Sequence, residues 1–170
     1  MMLKKICLLA LGLLATAPFV AAQTSDCKTA EECFKSGQAA IFDKSKTAFQ
    51  NECFTKAIKL NPNYLEAYQY RAGNFYQQGK IQEALADYNK YLELVKKQPK
   101  SSKFVLAKIH YQKAECLTKL GKAKEAVPEY KSAHEIMPAE EKYLNAYEKA
   151  KAANPAPAPK GGKTPPKKGK

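Results

Sequence analysis

The chain has 170 residues and a formal net charge of +13, from 29 Lys and Arg against 16 Asp and Glu. This length suits a single domain with flanking segments. The five cysteines and two histidines form neither a Cys-x-x-Cys pair nor a Cys/His cluster, so we expect no metal site. The pattern also offers no nucleophile–base pair and no paired acids, so we expect no cofactor and no catalytic activity.

The N-terminal segment, 1–22, has the pattern of a secretory signal peptide. Lys4 and Lys5 precede a short apolar run, Pro18 interrupts it, and small residues follow up to Ala22. The run is shorter than the roughly 20 apolar residues that a membrane span needs. We therefore expect cleavage near Ala22 and a periplasmic or secreted mature chain, with a short lead-in over 23–28.

From residue 29 to 153 the apolar residues recur with helical spacing, and Ala, Lys, Glu, Gln and Leu dominate, which predicts an all-α fold. Thr29 and Glu32 form a capping box at the start of the first helix. Pro138, with two acids behind it, predicts the first turn of a last helix. Six breaks separate the predicted helices: 43–46, 61–63, Gly79, 98–102, Gly121 and 137–138.

The stretch around Gly79 recurs further along the chain around Gly121. Each glycine stands where one helix ends, because a residue with positive φ just past a helix end is most easily glycine. The helices on either side then fold back antiparallel. Their crossings need small facing side chains, and the sequence supplies Ala72, Ala84, Ala114 and Ala126.

These hairpins resemble the tetratricopeptide repeat, a helix–turn–helix unit of about 34 residues. One copy carries the signature at Tyr68, Arg71, Ala72, Phe75, Ala84 and Tyr88, with its closing proline displaced to Pro99. The next carries it at His110, Lys113, Ala114, Leu117, Ala126, Tyr130, Ala133 and Pro138. An earlier copy is degenerate and fits at Phe34, Gly37, Ile41, Phe54, Ala57 and Pro62, with Gln50 in place of the crossing alanine. The resemblance implies a solenoid of three hairpins over 29–153, closed by a capping helix over 141–153. In it, most tyrosines, His110 and His134 are packing residues.

The interval between the second and third copies is longer than the interval between the first and second. The additional residues fall within 96–105. Two structures account for them: flanking helices that are each a turn longer, or a protruding basic loop.

The resemblance also implies a non-catalytic adaptor that binds a peptide or helix of a partner protein in a concave groove. The solvent-facing residues of the first helices are expected to line it: Lys35, Gln69, Tyr76, Lys108, Tyr111, Gln112 and Glu115. Their mixture of polar, aromatic and basic groups suits an acidic or amide-rich partner. Some members of the family grip a C-terminal carboxylate with Lys, Asn and Arg. Here Lys35 and Lys108 match its lysines, but Ala39, Tyr70 and Gln112 replace its other three groups, so this clamp is not expected.

A rival interpretation rests on the basic segments. Residues 154–170 form a tail of Pro, Gly, Lys and small residues, which lacks the apolar side chains that an ordered core requires and is expected to be disordered. Such lysines suit an anionic envelope component, either lipid headgroups or cell-wall polymer. Nucleic acid suits the charge as well, but export and the lack of a binding motif argue against it.

The cysteines that remain after export sit in a compartment that permits disulfides. Cys33 begins the first helix and Cys53 lies near the end of its antiparallel partner, while Cys27 stands just before the same helix start. We expect one disulfide, Cys33–Cys53 in preference to Cys27–Cys53. Cys116 lies two hairpins away and is expected to remain a buried thiol.

Overall fold

The computed structural model describes residues 26–98 and 101–155. Every regular element in these residues is helical. The order is α1 (Ala30–Ala39), a 3-10 turn (Lys44–Lys46), α2 (Thr47–Leu60), α3 (Leu65–Gln77), α4 (Ile81–Lys97), α5 (Lys103–Lys119), α6 (Ala123–Ile136) and α7 (Glu141–Ala153). The expected segment 1–22, the displaced Pro99 and residues 156–170 of the expected tail lie outside the described residues. None of the helices within 26–98 and 101–155 is long and apolar enough to cross a membrane.

The helices pack in chain order. α1 with α2, α3 with α4, and α5 with α6 form three antiparallel hairpins, and each second helix contacts the first helix of the next pair. α7 packs on α6 and closes the stack. The predicted arrangement of six repeat helices and one capping helix is confirmed for the residues that the structure describes.

Two of the three hairpin turns are built in the same way. Gly79 and Gly121 both have φ of +75°. The amide of Lys80 donates to the Phe75 carbonyl at 2.9 Å, and the amide of Lys122 donates to the Leu117 carbonyl at 2.8 Å. This bond closes the last turn and satisfies carbonyls that the end of the helix would otherwise leave open. The predicted role of the two glycines is confirmed.

The helix crossings behind these turns are closed by the predicted alanines. Ala72 and Ala84 are fully buried in one apolar cluster with Tyr88. Ala114 and Ala126 are fully buried in another with Leu117 and Tyr130. Small side chains at the crossing let the two backbones approach, and large ones fill the space beside it.

The first hairpin turns without a glycine. α1 begins with the predicted capping box, since the Thr29 hydroxyl accepts from the Glu32 amide, but it ends after ten residues. Gln50, where a crossing alanine was expected, is buried and donates its side-chain amide to the carbonyl of Ala40 at 2.7 Å. Asn74 on the next hairpin donates to the Gln50 side-chain oxygen at 3.0 Å. The glutamine thus satisfies the end of α1, which the other hairpins satisfy with backbone bonds at glycine.

The additional residues between the second and third copies lengthen two helices. Among the second helices of the hairpins, α4 has 17 residues, whereas α2 and α6 have 14 each. Among the first helices, α5 has 17 residues and α3 has 13. The alternative with longer helices is therefore the right one, since α4 ends at Lys97 and α5 begins at Lys103. The expectation for Pro138 was wrong, because α7 begins at Glu141 and the proline lies in the preceding turn.

The disulfide prediction was also wrong. Cys27 pairs with Cys33, with their Cα atoms 5.0 Å apart, and Cys53 and Cys116 are buried thiols outside that disulfide. Side chains lean toward the start of their own helix, so Cys33 and Cys53 point in opposite directions in an antiparallel pair. The Cβ of Cys53 lies 3.0 Å from where a Cβ of Gly37 would be, one turn further along α1 than Cys33. The expected pairing therefore fails on side-chain direction, while the prediction for Cys116 holds.

An ion pair crosses each of the two later hairpins at equivalent positions. Arg71 on α3 donates to both carboxylate oxygens of Asp87 on α4 at 2.8 Å. In the third hairpin, Lys113 on α5 contacts Glu129 on α6 at 2.7 Å. His110 contacts the other oxygen of Glu129, also at 2.7 Å. These largely buried pairs hold the two helices of each hairpin together, because removing one partner would leave the other charge buried without an opposite charge beside it.

Candidate functional site

A groove runs along one face of the stack, formed mainly by α3, α5 and α7. It consists of three adjoining cavities. The N-terminal cavity and the middle cavity share Lys108 and Gln112, and the middle and C-terminal cavities share Tyr111, Glu115 and Lys142. These shared residues place the three cavities next to one another along this face.

The N-terminal cavity lies between the α1–α2 connection, α3 and α5 and has a volume of about 230 Å³. Its lining contains two lysines, five amide side chains and no carboxylate: Ile41, Lys44, Thr47, Gln50, Gln69, Tyr70, Gly73, Asn74, Gln77, Lys108 and Gln112. Lys44 and Lys108 are exposed. A cavity lined by lysines and amides and by no carboxylate suits an anionic group.

Hydrogen bonds fix the polar wall of this cavity. Asn74, which is 8% exposed, donates to Gln50 at 3.0 Å and to Asn51 at 2.9 Å. The Tyr70 hydroxyl accepts from the Gln38 side chain at 3.3 Å, and its ring packs edge-on against Phe34 at 5.3 Å. A wall whose side chains are held in this way is ordered before any ligand arrives, which lowers the entropic cost of binding.

The middle cavity, of about 290 Å³, has a more aromatic lining. Phe104, Tyr111 and Tyr143 line it between α5 and α7, and the Phe104 side chain is 59% exposed. The Lys142 ammonium lies 4.2 Å from the centre of the Tyr111 ring. Burial, reinforced by the charge and a hydrogen bond of Glu115, raises the pKa of Tyr111 to about 12, so this hydroxyl is neutral at physiological pH. With Glu115, Glu140, Lys108 and Lys142 in its lining, this part of the groove carries both signs of charge.

The C-terminal cavity is the largest, at about 590 Å³. Tyr111 and Tyr130 from the third hairpin face Ala146 and Ala150 of α7 across it, and Lys142 and Lys149 also line it. The short side chains of α7 leave room that larger residues would fill. The groove therefore changes along its length from polar and basic to aromatic and apolar.

Five of the seven predicted groove residues line these cavities, and two do not. Gln69, Lys108 and Gln112 line the N-terminal cavity, and Tyr111 and Glu115 line the middle and C-terminal ones. The other two lie outside these cavities. Lys35 is exposed and forms an ion pair with Glu31 at 2.7 Å, and the half-buried Tyr76 ring lies 5.3 Å from the Lys119 ammonium.

Sequence reasoning missed the residues that the α1–α2 connection and α2 bring to the groove, above all Lys44, Thr47 and Gln50. The prediction took groove residues from the first helices alone. The first copy matches the repeat poorly, so the pattern does not align the residues between α1 and α2 with a position in the groove. Gly73 was missed as well, although a glycine inside a helical pattern without a turn is a visible indication.

A further cavity of about 400 Å³ lies between α4, α5 and α6, with His110, Lys113 and Glu129 in its lining. Burial raises the pKa of the Glu129 carboxyl, but the hydrogen bonds from His110 and Lys113 outweigh it, and the net effect is a lowered pKa. The other histidine, His134, stacks on Tyr147 with ring centres 6.3 Å apart. Both histidines are half-buried, as expected, but His110 also shares a hydrogen bond with Glu129 and is not a packing residue alone.

Comparison with solved structures identifies the fold. The first tetratricopeptide domain of Spaghetti (RPAP3), bound to the HSP90 peptide SRMEEVD, aligns with a TM-score of 0.61 at 21% identity, over 73% of this chain and 91% of that one. The N-terminal domain of STI-1 from C. elegans aligns with a TM-score of 0.63 at 16% identity, over 72% and 94%. The tetratricopeptide domain of Arabidopsis OM64 gives 0.60 at 22% identity, over 73% and 95%.

No family model matches the sequence, and no curated protein matches it. The likeness therefore lies in the three-dimensional arrangement of the helices. The described residues of this chain have the fold of a tetratricopeptide-repeat domain.

Proposed function

We propose that this protein is a non-catalytic interaction adaptor that binds an extended, acidic peptide segment of a partner protein in its groove. The observation that carries the proposal is the lining of the N-terminal cavity, where two lysines and five amide side chains stand without a carboxylate. Carboxylates of a peptide would meet Lys44 and Lys108, and the amides offer both donors and acceptors to a main chain. The aromatic part of the groove adds apolar surface for a neighbouring side chain.

One of the solved structures supports the same class of partner. The RPAP3 domain, which has this fold, holds a peptide with three acids, SRMEEVD. In the present chain Ala39, Tyr70 and Gln112 replace three of the five groups of the carboxylate clamp. We therefore propose recognition of internal acidic side chains, with no requirement for a free C-terminus.

We propose further that the protein works outside the cytoplasm. The pattern of residues 1–22 supports export. The disulfide between Cys27 and Cys33 supports it too, because disulfides persist in oxidising compartments. Mass spectrometry of the protein from its native source tests this: a mature chain starting near Gln23, two mass units below the fully reduced value, is expected. A full-length chain would contradict it.

Peptide display tests the binding function directly. Random dodecapeptides are selected against the protein, and the most enriched one is synthesised with an acetylated N-terminus and an amidated C-terminus. Fluorescence anisotropy then compares Lys44→Glu and Lys108→Glu with Lys124→Glu, an equal charge change on α6, outside the lining of the groove. We expect the first two to weaken binding about tenfold and the control to change it by less than about twofold.

The alternative, attachment to an anionic envelope surface through the lysines, gives a different result. Its affinity for phosphatidylglycerol vesicles would fall steeply with salt, because exposed charges are screened beyond about 8 Å at physiological ionic strength. It would fall equally in all three Glu variants. A failure to enrich any peptide, together with such vesicle binding, would replace the adaptor proposal.

A further inference from the structure

Gly73 lies in the interior of α3, more than a turn from either end and without a positive φ. Glycine in a helix interior is less favourable than alanine, because it loses more backbone freedom on folding. A glycine at such a place therefore needs a reason, either in packing or in function.

Packing gives no reason. A Cβ at Gly73 would meet no atom within 4 Å. Gly37 is the opposite case, since a Cβ there would lie 2.7 Å from the Phe54 ring. Gly79 and Gly121 need their positive φ. Among the four glycines that the structure describes, Gly73 is thus the one whose neighbours and backbone would accept alanine.

Gly73 lines the N-terminal cavity. Gln69, Tyr70 and Gln77 lie beside it on the same helix, and Gln112 lines the cavity from α5. The missing side chain opens the wall of the cavity between these side chains. Anything that occupies the cavity can approach the backbone of α3 more closely here than at a residue with a Cβ.

We propose that the main chain of the bound peptide crosses α3 at Gly73, where only a glycine lets it approach. At that point the peptide's own amide groups come within reach of the glutamine side chains, and its acidic side chains lie toward Lys44 and Lys108. Gly73 is then a specificity-determining residue that selects an extended main chain over a helix, whose amide groups are already bonded internally. This inference rests on the proposed function and adds the point of contact on α3 and the recognition of the peptide's main chain there.

Two substitutions test the role of Gly73, with the synthetic dodecapeptide described above as the probe. Gly73→Ala adds one methyl group and Gly73→Leu fills the opening. Ala86→Leu serves as the matched control, because Ala86 is an exposed residue of α4 outside the lining of the groove. We expect Gly73→Ala to raise the melting temperature by about 2–6 °C through helix propensity, while its affinity for the probe falls at least about tenfold. Gly73→Leu should abolish binding, and the control should bind as the unaltered protein does.

A second measurement tests the main-chain contact. Probes carrying a single N-methylated peptide bond are compared with probes carrying alanine at the same position. We expect one or two central positions at which N-methylation costs at least about tenfold in affinity and alanine costs less than about threefold.

The outcomes separate the two proposals. If the unaltered protein enriches no peptide, both fail. If it binds the probe but Gly73→Leu binds equally well, the adaptor function stands and the role of Gly73 is refuted. A lower melting temperature for Gly73→Ala would also refute it, because the glycine would then serve the fold. Loss of affinity on alanine replacement without loss on N-methylation would show that side chains alone are recognised.

Discussion

Tyr88 is fully buried, and its hydroxyl makes no hydrogen bond within the described residues. Burial is the main cause that raises the pKa of this tyrosine far above its usual value. Tyr91, one turn later on the same helix, is equally well buried, but its hydroxyl shares a 2.7 Å hydrogen bond with Ser101. The two residues form a matched pair for measuring what an unsatisfied buried hydroxyl costs.

The magnitudes follow from this difference. A buried polar group without a partner costs about 1–3 kcal/mol. Tyr88→Phe removes this cost but leaves the space of one oxygen atom empty. That space is smaller than a methyl group, and a methyl-sized cavity costs about 1 kcal/mol, so the empty space cancels only part of the stabilisation. We therefore expect Tyr88→Phe to raise the free energy of unfolding by about 1 kcal/mol. Tyr91→Phe loses its hydrogen bond and should lower the same quantity by about 1 kcal/mol.

Urea denaturation followed by circular dichroism in the far ultraviolet measures both variants. An unchanged dependence on urea concentration would show that neither substitution alters the surface exposed on unfolding. The expected difference between the variants is about 2 kcal/mol. If Tyr88→Phe is destabilised as much as Tyr91→Phe, the Tyr88 hydroxyl has a partner in solution and the reasoning fails.

Three other predictions concern the ion pairs and the disulfide. Asp87→Ala should cost about 3 kcal/mol in urea denaturation, because it leaves Arg71 buried without its carboxylate; a cost below about 1 kcal/mol would contradict this. The lowered pKa of Glu129 means that its contribution is complete above the unfolded-state value of 4.5 and is lost as the pH falls below it. Urea midpoints from about pH 6 to about pH 3 should therefore fall less steeply in Glu129→Gln, and an equal slope would refute the assignment. Cys27→Ser should lower stability by about 2 kcal/mol under non-reducing conditions, from the chain entropy of a short loop. The same substitution should have no effect in the presence of a reductant.

The sequence was sufficient to predict the later hairpins because their local and tertiary requirements coincide. The turn itself requires Gly79 and Gly121, and the helix crossing behind it requires the alanines. Glycine and alanine therefore recur at the same spacing in both hairpins. The prediction for the first hairpin was poorer because Gln50 satisfies the end of α1 through a side-chain bond. Such a bond depends on the rotamer of one side chain, and a rotamer does not appear in the sequence as a residue that recurs at fixed spacing.

The disulfide and the groove were harder to predict for a related reason. Spacing brought Cys33 and Cys53 to the same end of a hairpin, but the direction of each side chain decided the pairing with Cys27. Lys44 lines the groove from the connection between α1 and α2. The repeat signature aligns helical positions and does not cover this connection. α6 also continues through Pro128, which sequence reasoning did not single out. Repeat periodicity thus predicts which helices meet, whereas side-chain geometry decides what lies between them.

The ion pairs that cross the second and third hairpins are not repeated at the equivalent positions of the first hairpin in the described part of the chain. The positions equivalent to Arg71 and Asp87, one repeat earlier in the chain, hold Gly37 and Cys53. In a repeat array each unit contacts only its neighbours, so the array opens first at a weakly fastened end. We expect amide hydrogen exchange to be fastest in α1 and the connection after it, which supply Ile41 and Lys44 to the N-terminal cavity. A ligand in that cavity would bind across the first hairpin and the more firmly held third one, and would protect from exchange the end of the molecule that opens most readily.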